Sequence, residues 1–214
     1  MLYVLEEVFK SKKNENSEHF NLRIQRALSW LKKAAYSQDD VDIQFLSLWI
    51  SLNAIYVTET AEDASIQLNT CLQRIYQQDH DQKINHFIWH SISDQVQRVL
   101  DNPYTFQDYW EYKNQKITQL TWKTHFEVEK QRIFKAFKYK EGQTILNLLF
   151  ERMLTLRNQM LLGGNSYKSA INRQQLKDSC HILLVLIPAF LQVLIENAKC
   201  LEFDRPFYPI MHMS

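Results

Sequence analysis

The fold of this chain is decided by the stretch Phe45-Leu46-Ser47-Leu48-Trp49-Ile50-Ser51-Leu52-Asn53-Ala54-Ile55-Tyr56, which is apolar nearly all round a helical projection. One face of that helix carries Phe45, Leu48, Trp49, Leu52 and Tyr56, and the other carries Leu46, Ile50 and Val57. A helix that is apolar on every side has to be covered by other elements. Asp39 or Asp40 can cap its first turn. We therefore predict a central, buried helix that runs to about Val57.

The segment before this helix predicts an amphipathic partner for it. Its apolar positions recur at helical spacing and are Phe20, Ile24, Ala27, Leu28, Leu31, Ala34 and Ala35. The flank of the same helix carries Arg23, Arg26, Trp30 and Lys33. A solvated face with a partly covered tryptophan is the favoured interpretation of this flank, and an RNA-contacting stripe is the alternative.

Helical patterns also fill the rest of the chain. They cover about Leu2 to Lys10, Ala61 to Gln77, Asp81 to Leu100 and Gln143 to Leu161, and a long apolar helix that begins after Asn172. Only three glycines and four prolines occur in 214 residues, which disfavours a many-stranded fold. The prediction is an all-α helical bundle over residues 1–214 as a single domain, with residues 1–16 as an N-terminal extension and 201–214 as a C-terminal tail. Two small lobes are the alternative.

The last helix contains Pro188, which should kink it. Its apolar surface exceeds what one neighbouring helix covers, so dimerisation and burial at the centre of the fold are equally good uses for it. We expect a homodimer whose contact includes the Leu162 to Ile171 region and part of this helix.

Charge and cysteine content point to a soluble protein. The 25 basic and 24 acidic side chains nearly cancel, so any RNA site has to be a local patch. Cys71, Cys180 and Cys200 lack metal-ligand spacing and predict buried thiols in a reducing compartment. The chain opens without a charged-then-apolar leader, and its longest apolar run, Cys180 to Ile195, is shorter than the ~20 residues that span a bilayer. We expect a cytoplasmic protein with no membrane partner.

The segment from Tyr104 to Glu141 mixes aromatic and basic residues. Lysines and arginines beside stacking rings are typical of single-stranded RNA binding, and we name Lys130, Arg132 and Lys135 as candidate RNA contacts. Trp122, Phe126, Ile133 and Phe137 also fit one helical face, so a core of aromatics with solvated lysines is the favoured alternative.

A metal site is not expected. His86 and His90 have the i, i+4 spacing that can present two imidazoles to a metal, but no third ligand is in view. We interpret them as surface histidines and predict neither a metal nor a cofactor.

An arginine ends an apolar line on the helix that precedes Gly163-Gly164. That line is Leu146, Phe150, Met153 and Arg157. From residue physics alone, a role in capping the helix C-terminus is favoured over a ligand phosphate. Asn53 is either a hydrogen-bonded core amide or a polar group that reaches toward Arg157.

Several of these residues together resemble the HEPN superfamily, and within it the bacterial Apea-like group. The resemblance rests on Arg157-Asn158-Gln159-Met160-Leu161-Leu162-Gly163-Gly164, on Arg26-Ala27-Leu28-Ser29-Trp30-Leu31-Lys32, on Phe45 to Tyr56, and on Asn172-Arg173-Gln174-Gln175. It implies a helical bundle, a homodimer with its cleft at the interface, and metal-independent cleavage of single-stranded RNA by a toxin or an antiviral-defence protein. In that scheme Arg157 stabilises phosphate charge and Asn158 is the polar orienting residue.

Leu162 stands where the family has its catalytic histidine. General acid–base catalysis contributes about 10²–10⁴-fold, so the resemblance implies a ribonuclease that is weak or inactive in this form. The alternatives are a non-catalytic HEPN module that binds RNA or a protein such as an antitoxin or regulatory partner, and an unrelated helical protein-interaction bundle. An accessible cleft lined by Arg157 and Asn158 would favour the first two, and both residues buried within one subunit would favour the third.

Overall fold

The computed structural model describes residues 2–59, 63–199 and 206–208, and every regular element in these ranges is a helix. The α-helices are α1 (Leu2–Lys12), α2 (Glu18–Ala35), α3 (Val41–Tyr56), α4 (Ala64–Gln78), α5 (Lys83–His86), α6 (Ser93–Leu100), α7 (Gln107–Lys113), α8 (Gln119–Tyr139), α9 (Gly142–Leu161) and α10 (Arg173–Glu196). Short 3₁₀ helices cover Lys13–Glu15 and Pro103–Thr105, and a π-helix covers Phe87–Ser91. The predicted all-α class is confirmed.

The chain divides into two compact units. The first contains Met1–Ile84 and Leu183–Ser214, and the second contains Asn85–Ile182. The single domain expected from the chain length stays a prediction. Cys200 and most of the expected C-terminal tail, residues 201–205 and 209–214, lie outside the described residues.

In the first unit, α2 and α3 pack against each other through the apolar faces that the sequence indicated. Asp40 caps α3, since its side chain accepts a hydrogen bond from the Ile43 backbone N–H at 3.1 Å. Ser51 Oγ donates to the Ala27 carbonyl at 2.7 Å and ties the two helices together. The fully buried face of α3 is Phe45, Leu48, Trp49 and Leu52. Its other face is only partly covered, because Ile43 and Ile50 are 40% and 38% exposed.

Arg23 is buried, so the expected solvated stripe on α2 is wrong at this position. Its side chain is 2% exposed. Its Nη1 donates to the carbonyl oxygens at the end of α3, those of Ala54, Ile55 and Val57, at 3.4, 3.2 and 2.9 Å. The last carbonyls of a helix have no intrahelical donor and carry the negative end of its dipole, which explains why a cation is stable here.

Asn53 accepts a hydrogen bond from the Tyr56 hydroxyl at 2.9 Å within the same helix. This contact favours the first of its two interpretations, a hydrogen-bonded structural amide.

Of the cysteines that the structure describes, Cys180 is buried as predicted, whereas Cys71 is only half-buried. Desolvation raises the pKa of the Cys71 thiol to about 12, against the opposing charges of Arg23 and Arg74. A thiol with so high a pKa stays protonated and unreactive at neutral pH.

The last helix, α10, continues through Pro188. By length and composition it would pass as a membrane span, but 78% of its most apolar window is buried inside the protein. Of the two uses predicted for its apolar surface, burial in the core is therefore favoured, and Pro188 does not lie on an exposed apolar patch. The kink stays a prediction.

The single helix expected from Asp81 to Leu100 is broken into α5, the π-helix and α6. Asp79 begins it by accepting hydrogen bonds from the backbone of Lys83 and Ile84 at 3.0 and 2.7 Å. The buried positions recur every four residues, at Ile84, Ile88, Ile92 and Val96. In a regular α-helix that spacing drifts by about 40° per step. The wider π turn, closed by Ile92 N–H to the Phe87 carbonyl at 3.0 Å, absorbs the drift.

In the second unit, α8 and α9 form a helical hairpin. Lys140 has a φ of 53° and closes α8, and α9 begins two residues later, so the helices are antiparallel. Arg152 Nη2 on α9 pairs with Glu129 Oε1 on α8 at 2.6 Å. The guanidinium lies 4.4 Å from the ring centre of Phe106 and 5.3 Å from that of Phe126. Burial lowers the pKa of Arg152, and the charge of Glu129 opposes this effect.

Replacing Arg23 with Met should lower the free energy of unfolding by about 2–4 kcal/mol, because three carbonyl groups lose a charged donor in a buried place. Urea denaturation measures the change. Arg26→Met is the matched control on the same helix. Arg26 donates to the Tyr208 carbonyl at an exposed site, so its loss should cost less than about 1 kcal/mol. Equal losses in the two variants would contradict the capping role of Arg23.

Candidate functional site

The Arg157 motif forms the C-terminal turn of α9. Leu162 N–H donates to the Asn158 carbonyl at 2.9 Å, and Gly164 N–H donates to the Gln159 carbonyl at 2.7 Å. Gly163 has a φ of 73°, in the left-handed region that ends many helices. A Cβ atom on Gly164 would lie 2.9 Å from the Gln159 carbonyl oxygen, which is too close. Both glycines are therefore required by the backbone.

Arg157 and Asn158 are held together and are both half-buried. Arg157 Nη1 donates to the Asn158 side-chain oxygen at 2.9 Å. Such a pair can present a guanidinium edge to a phosphate and can orient it, but neither group moves a proton at neutral pH.

Leu162 is 84% exposed. Leu161, Tyr167 and Ile171, in the same helix end and the loop that follows it, are also exposed, at 58%, 64% and 63%. This is the loop that we expect in a dimer contact, and self-association stays a prediction. An imidazole at position 162 would face water and would cost little stability.

Gln159 connects the motif to the rest of the unit, a role that no sequence pattern indicated. Its Nε2 donates to the Tyr104 carbonyl at 3.0 Å, and its Oε1 accepts from Asn172 Nδ2 at 2.9 Å. Trp110 Nε1 donates to the same Tyr104 carbonyl at 2.8 Å. The end of α9 is thereby fixed to the segment before α7 and to the start of α10.

An aromatic cluster lies beside this connection and consists of Tyr104, Tyr109, Trp110, Tyr112 and Trp122. The Tyr112 and Trp122 rings are stacked with centroids 6.0 Å apart, and Tyr109 meets Trp122 edge-on at 5.3 Å. Lys113 Nζ lies 5.4 and 5.5 Å from the rings of Tyr109 and Tyr112. Most of these rings are half-buried against one another. With Phe126 and Ile133 each 6% exposed, the core interpretation is favoured for this part of the segment.

The named RNA contacts fall into two groups. Lys130 and Lys135 line a shallow depression of about 440 Å³ on α8, which we call the lysine face and which comprises Lys130, Gln131, Phe134, Lys135, Lys138 and Tyr139. Arg132 does not line this depression. It points about 200° away from Lys130, although it lies within about 60° of Lys135 on the helix.

The lysine face and the Arg157 motif are separated along the hairpin. The pair Arg152 and Glu129 sets the register of α8 against α9. Arg157 lies five residues beyond Arg152, and Lys135 lies six residues beyond Glu129 in the opposite direction. At ~1.5 Å per residue, the two are about 16 Å apart along the axis. A ligand that contacts both has to be extended.

His86 and His90 have their ring centres 5.0 Å apart on the surface. Within residues 2–59, 63–199 and 206–208, no group of three or more His, Cys, Asp or Glu side chains is placed to hold a metal ion.

Neither protein-family models nor curated proteins nor solved structures give a match to this chain. The chemistry of its own residues is therefore what indicates a function for this chain.

Changing Gly163 to Ala should destabilise the protein by about 1–2 kcal/mol, since an alanine at positive φ brings Cβ against the next carbonyl. Gly163→Asn is the matched control and should cost less, because asparagine tolerates this conformation. Thermal unfolding of the two variants checks the order. An alanine variant as stable as the wild type would contradict the observed helix end.

Proposed function

We propose that the protein binds single-stranded RNA through the lysine face of α8, on a HEPN-like helical scaffold whose Arg157 motif supports little or no cleavage. The observation that carries the proposal is the exposure of Phe134 and Tyr139, 70% and 65%, between Lys130, Lys135 and Lys138.

The chemistry of this face suits a nucleic acid. Exposed aromatic rings beside lysines supply the two contacts that single strands use, stacking on bases and attraction to phosphates. Lys138 Nζ lies 5.4 Å from the Tyr139 ring centre, and Lys130 is 3.5 Å from Glu127, an exposed and weak ion pair. Bases in a duplex do not offer their ring faces, so a single strand is the better ligand.

The Arg157 motif fits the same proposal as a second phosphate contact. Arg157 and Asn158 retain the groups that would stabilise and orient a phosphodiester, whereas Leu162 supplies no proton transfer. The setting that the resemblance implies belongs to the proposal as well: a cytoplasmic toxin or antiviral-defence protein that acts as a homodimer and is held in check by an antitoxin or a regulatory protein.

Binding of a protein partner alone is the second candidate function. It is favoured by the partly exposed apolar side of α3, where Ile43 and Ile50 stand. A module that binds only a protein partner through α3 would not depend on the lysines of α8.

Replacing Phe134 with Ala should weaken RNA binding by about 1–3 kcal/mol, because a base loses its stacking surface. Fluorescence anisotropy with a labelled single-stranded RNA measures the affinity. Leu120→Ala is the matched control, because Leu120 is an equally exposed apolar residue, 77%, on the same helix outside the lysine face.

Binding should also weaken steeply with salt, and Lys135→Gln should reduce the slope of log affinity against log salt by about 1. An affinity that does not change with salt, or that Leu120→Ala lowers as much as Phe134→Ala does, would argue against the RNA proposal and for the protein-binding candidate.

Replacing Leu162 with His should create or restore RNA cleavage beyond any activity of the wild type, and adding Arg157→Ala should abolish the gain. The exposure of Leu162 makes the variant tolerable, and an imidazole there supplies the missing proton transfer, worth about 10²–10⁴-fold. The assay incubates the folded variant with single-stranded RNA in EDTA and looks for 2′,3′-cyclic phosphate ends. A folded Leu162→His protein that leaves a range of RNAs intact would remove the ribonuclease-scaffold part of the proposal.

A further inference from the structure

A histidine and an aspartate face each other across α7 and α8, outside the Arg157 motif. His125 Nδ1 lies 2.6 Å from Asp108 Oδ2, and the two side chains are 56% and 26% exposed. A carboxylate only accepts hydrogen bonds, so Nδ1 carries a proton and donates a hydrogen bond to Asp108. In the neutral ring the lone pair is then on Nε2. This is the tautomer in which an imidazole acts as a general base, oriented by a carboxylate.

The dyad lies on the same line of α8 as two of the cations named from the sequence. His125, Val128, Arg132 and Lys135 follow one another at i, i+3, i+7 and i+10, which keeps them on one side of the helix. Val128 is 61% exposed, and Arg132 and Lys135 are exposed as well. Lys135 also borders the lysine face. A strand held at the lysine face can therefore follow Lys135 and Arg132 to His125, a path of about 15 Å along the helix.

The aromatic cluster borders the dyad on its other side. Trp122 lies one turn before His125 on α8, and Tyr112 lies one turn after Asp108 on α7, and these two rings are stacked on each other. The contact fixes α7 against α8, so it holds the carboxylate in place beside the imidazole.

We propose that His125 is a catalytic general base for slow, metal-independent cleavage of RNA and that Asp108 is its positioning residue. The proposal rests on the proposed RNA binding and adds a proton-transfer group that the Arg157 motif lacks.

The step balances without a cofactor. Nε2 of His125 takes the proton of an RNA 2′-hydroxyl, and the 2′-oxygen forms a bond to the adjacent phosphorus. The bond from phosphorus to the 5′-oxygen breaks, and the leaving oxygen takes up a proton from the imidazolium or from water. The products are a 2′,3′-cyclic phosphate and a 5′-hydroxyl end. A single base supplies about 10²–10⁴-fold, so the cleavage is slow by the standard of ribonucleases.

An ion pair that only fastens α7 to α8 would have different consequences, and Asp108→Asn separates the two roles. An asparagine can keep a hydrogen bond to Nδ1, but its amide can donate it and so favour the tautomer with the proton on Nε2. The fastening role predicts a mild effect of this variant on every measurement. The positioning role predicts that the cleavage rate falls and its dependence on pH changes while stability and RNA affinity stay near those of the wild type.

The experiment compares the wild type, His125→Gln, Asp108→Asn and His181→Gln, the last being a control at another exposed histidine of the same unit. Each protein is incubated in EDTA with a single-stranded RNA and with the DNA of the same sequence. Affinity, cleavage rate from pH 5 to 9 and melting temperature are measured on the same preparations.

We expect all four proteins to bind both strands within about twofold of one another and only the RNA to be cut. His125→Gln should lower the rate at least about 100-fold, and His181→Gln should not change it. Wild-type protein that binds RNA but does not cut it, or cutting that survives His125→Gln, overturns the role of His125 and leaves the binding proposal standing. Absence of binding by every protein overturns the binding proposal and this inference with it.

Discussion

The ion pair between the buried Arg152 and the half-buried Glu129 is the contact on which the second unit depends. It joins α8 to α9 at one point along their length, and the rings of Phe106 and Phe126 cover the guanidinium. A buried cation without its carboxylate is costly, so only one alignment of the two helices is stable. That alignment determines where every candidate residue stands, with the Arg157 motif toward one end of the hairpin and the lysine face toward the other.

The cations of this chain occupy two different kinds of environment. Arg23 and Arg152 are each 2% exposed and are matched to carbonyl groups or to a carboxylate, so they hold helices together. On α8, Lys130 has an exposed, weak ion pair with Glu127, and the rings of Phe134 and Tyr139 face water. Guanidinium groups suit the buried sites because several donors lie in one plane, whereas hydrated lysines at the surface suit the proposed contact with phosphate. The net charge of the chain, which is close to zero, does not reveal this difference between buried arginines and exposed lysines.

The turn at the end of α9 determines the surroundings of Arg157 and Leu162. The turn after α9 needs glycine at two successive positions, one for its dihedral angle and one for its closeness to the Gln159 carbonyl. It leaves Arg157 half-buried and Leu162 in water. Arg157 is thus supported by its surroundings, while Leu162 can be replaced at little cost in stability. On α8, by contrast, an imidazole is already paired with a carboxylate at 2.6 Å.

The sequence by itself determined the helices, because their apolar periodicity and their capping residues are local properties. Asp40 at the start of α3, the glycines after α9 and the buried faces of α2, α3 and α9 could all be predicted from it. Only the tertiary structure decided what each polar residue does, since that depends on what another helix brings within a few ångströms. The sequence pattern indicated a solvated Arg23, whereas in the structure its side chain binds the end of α3. No pattern indicated the hydrogen bonds of Gln159. Asp108 and His125 are 17 residues apart in the chain, so only the fold brings them together. The π turn before α6 also depends on the tertiary structure. Buried positions that recur every four residues distort a helix only when a core keeps all of them on one side.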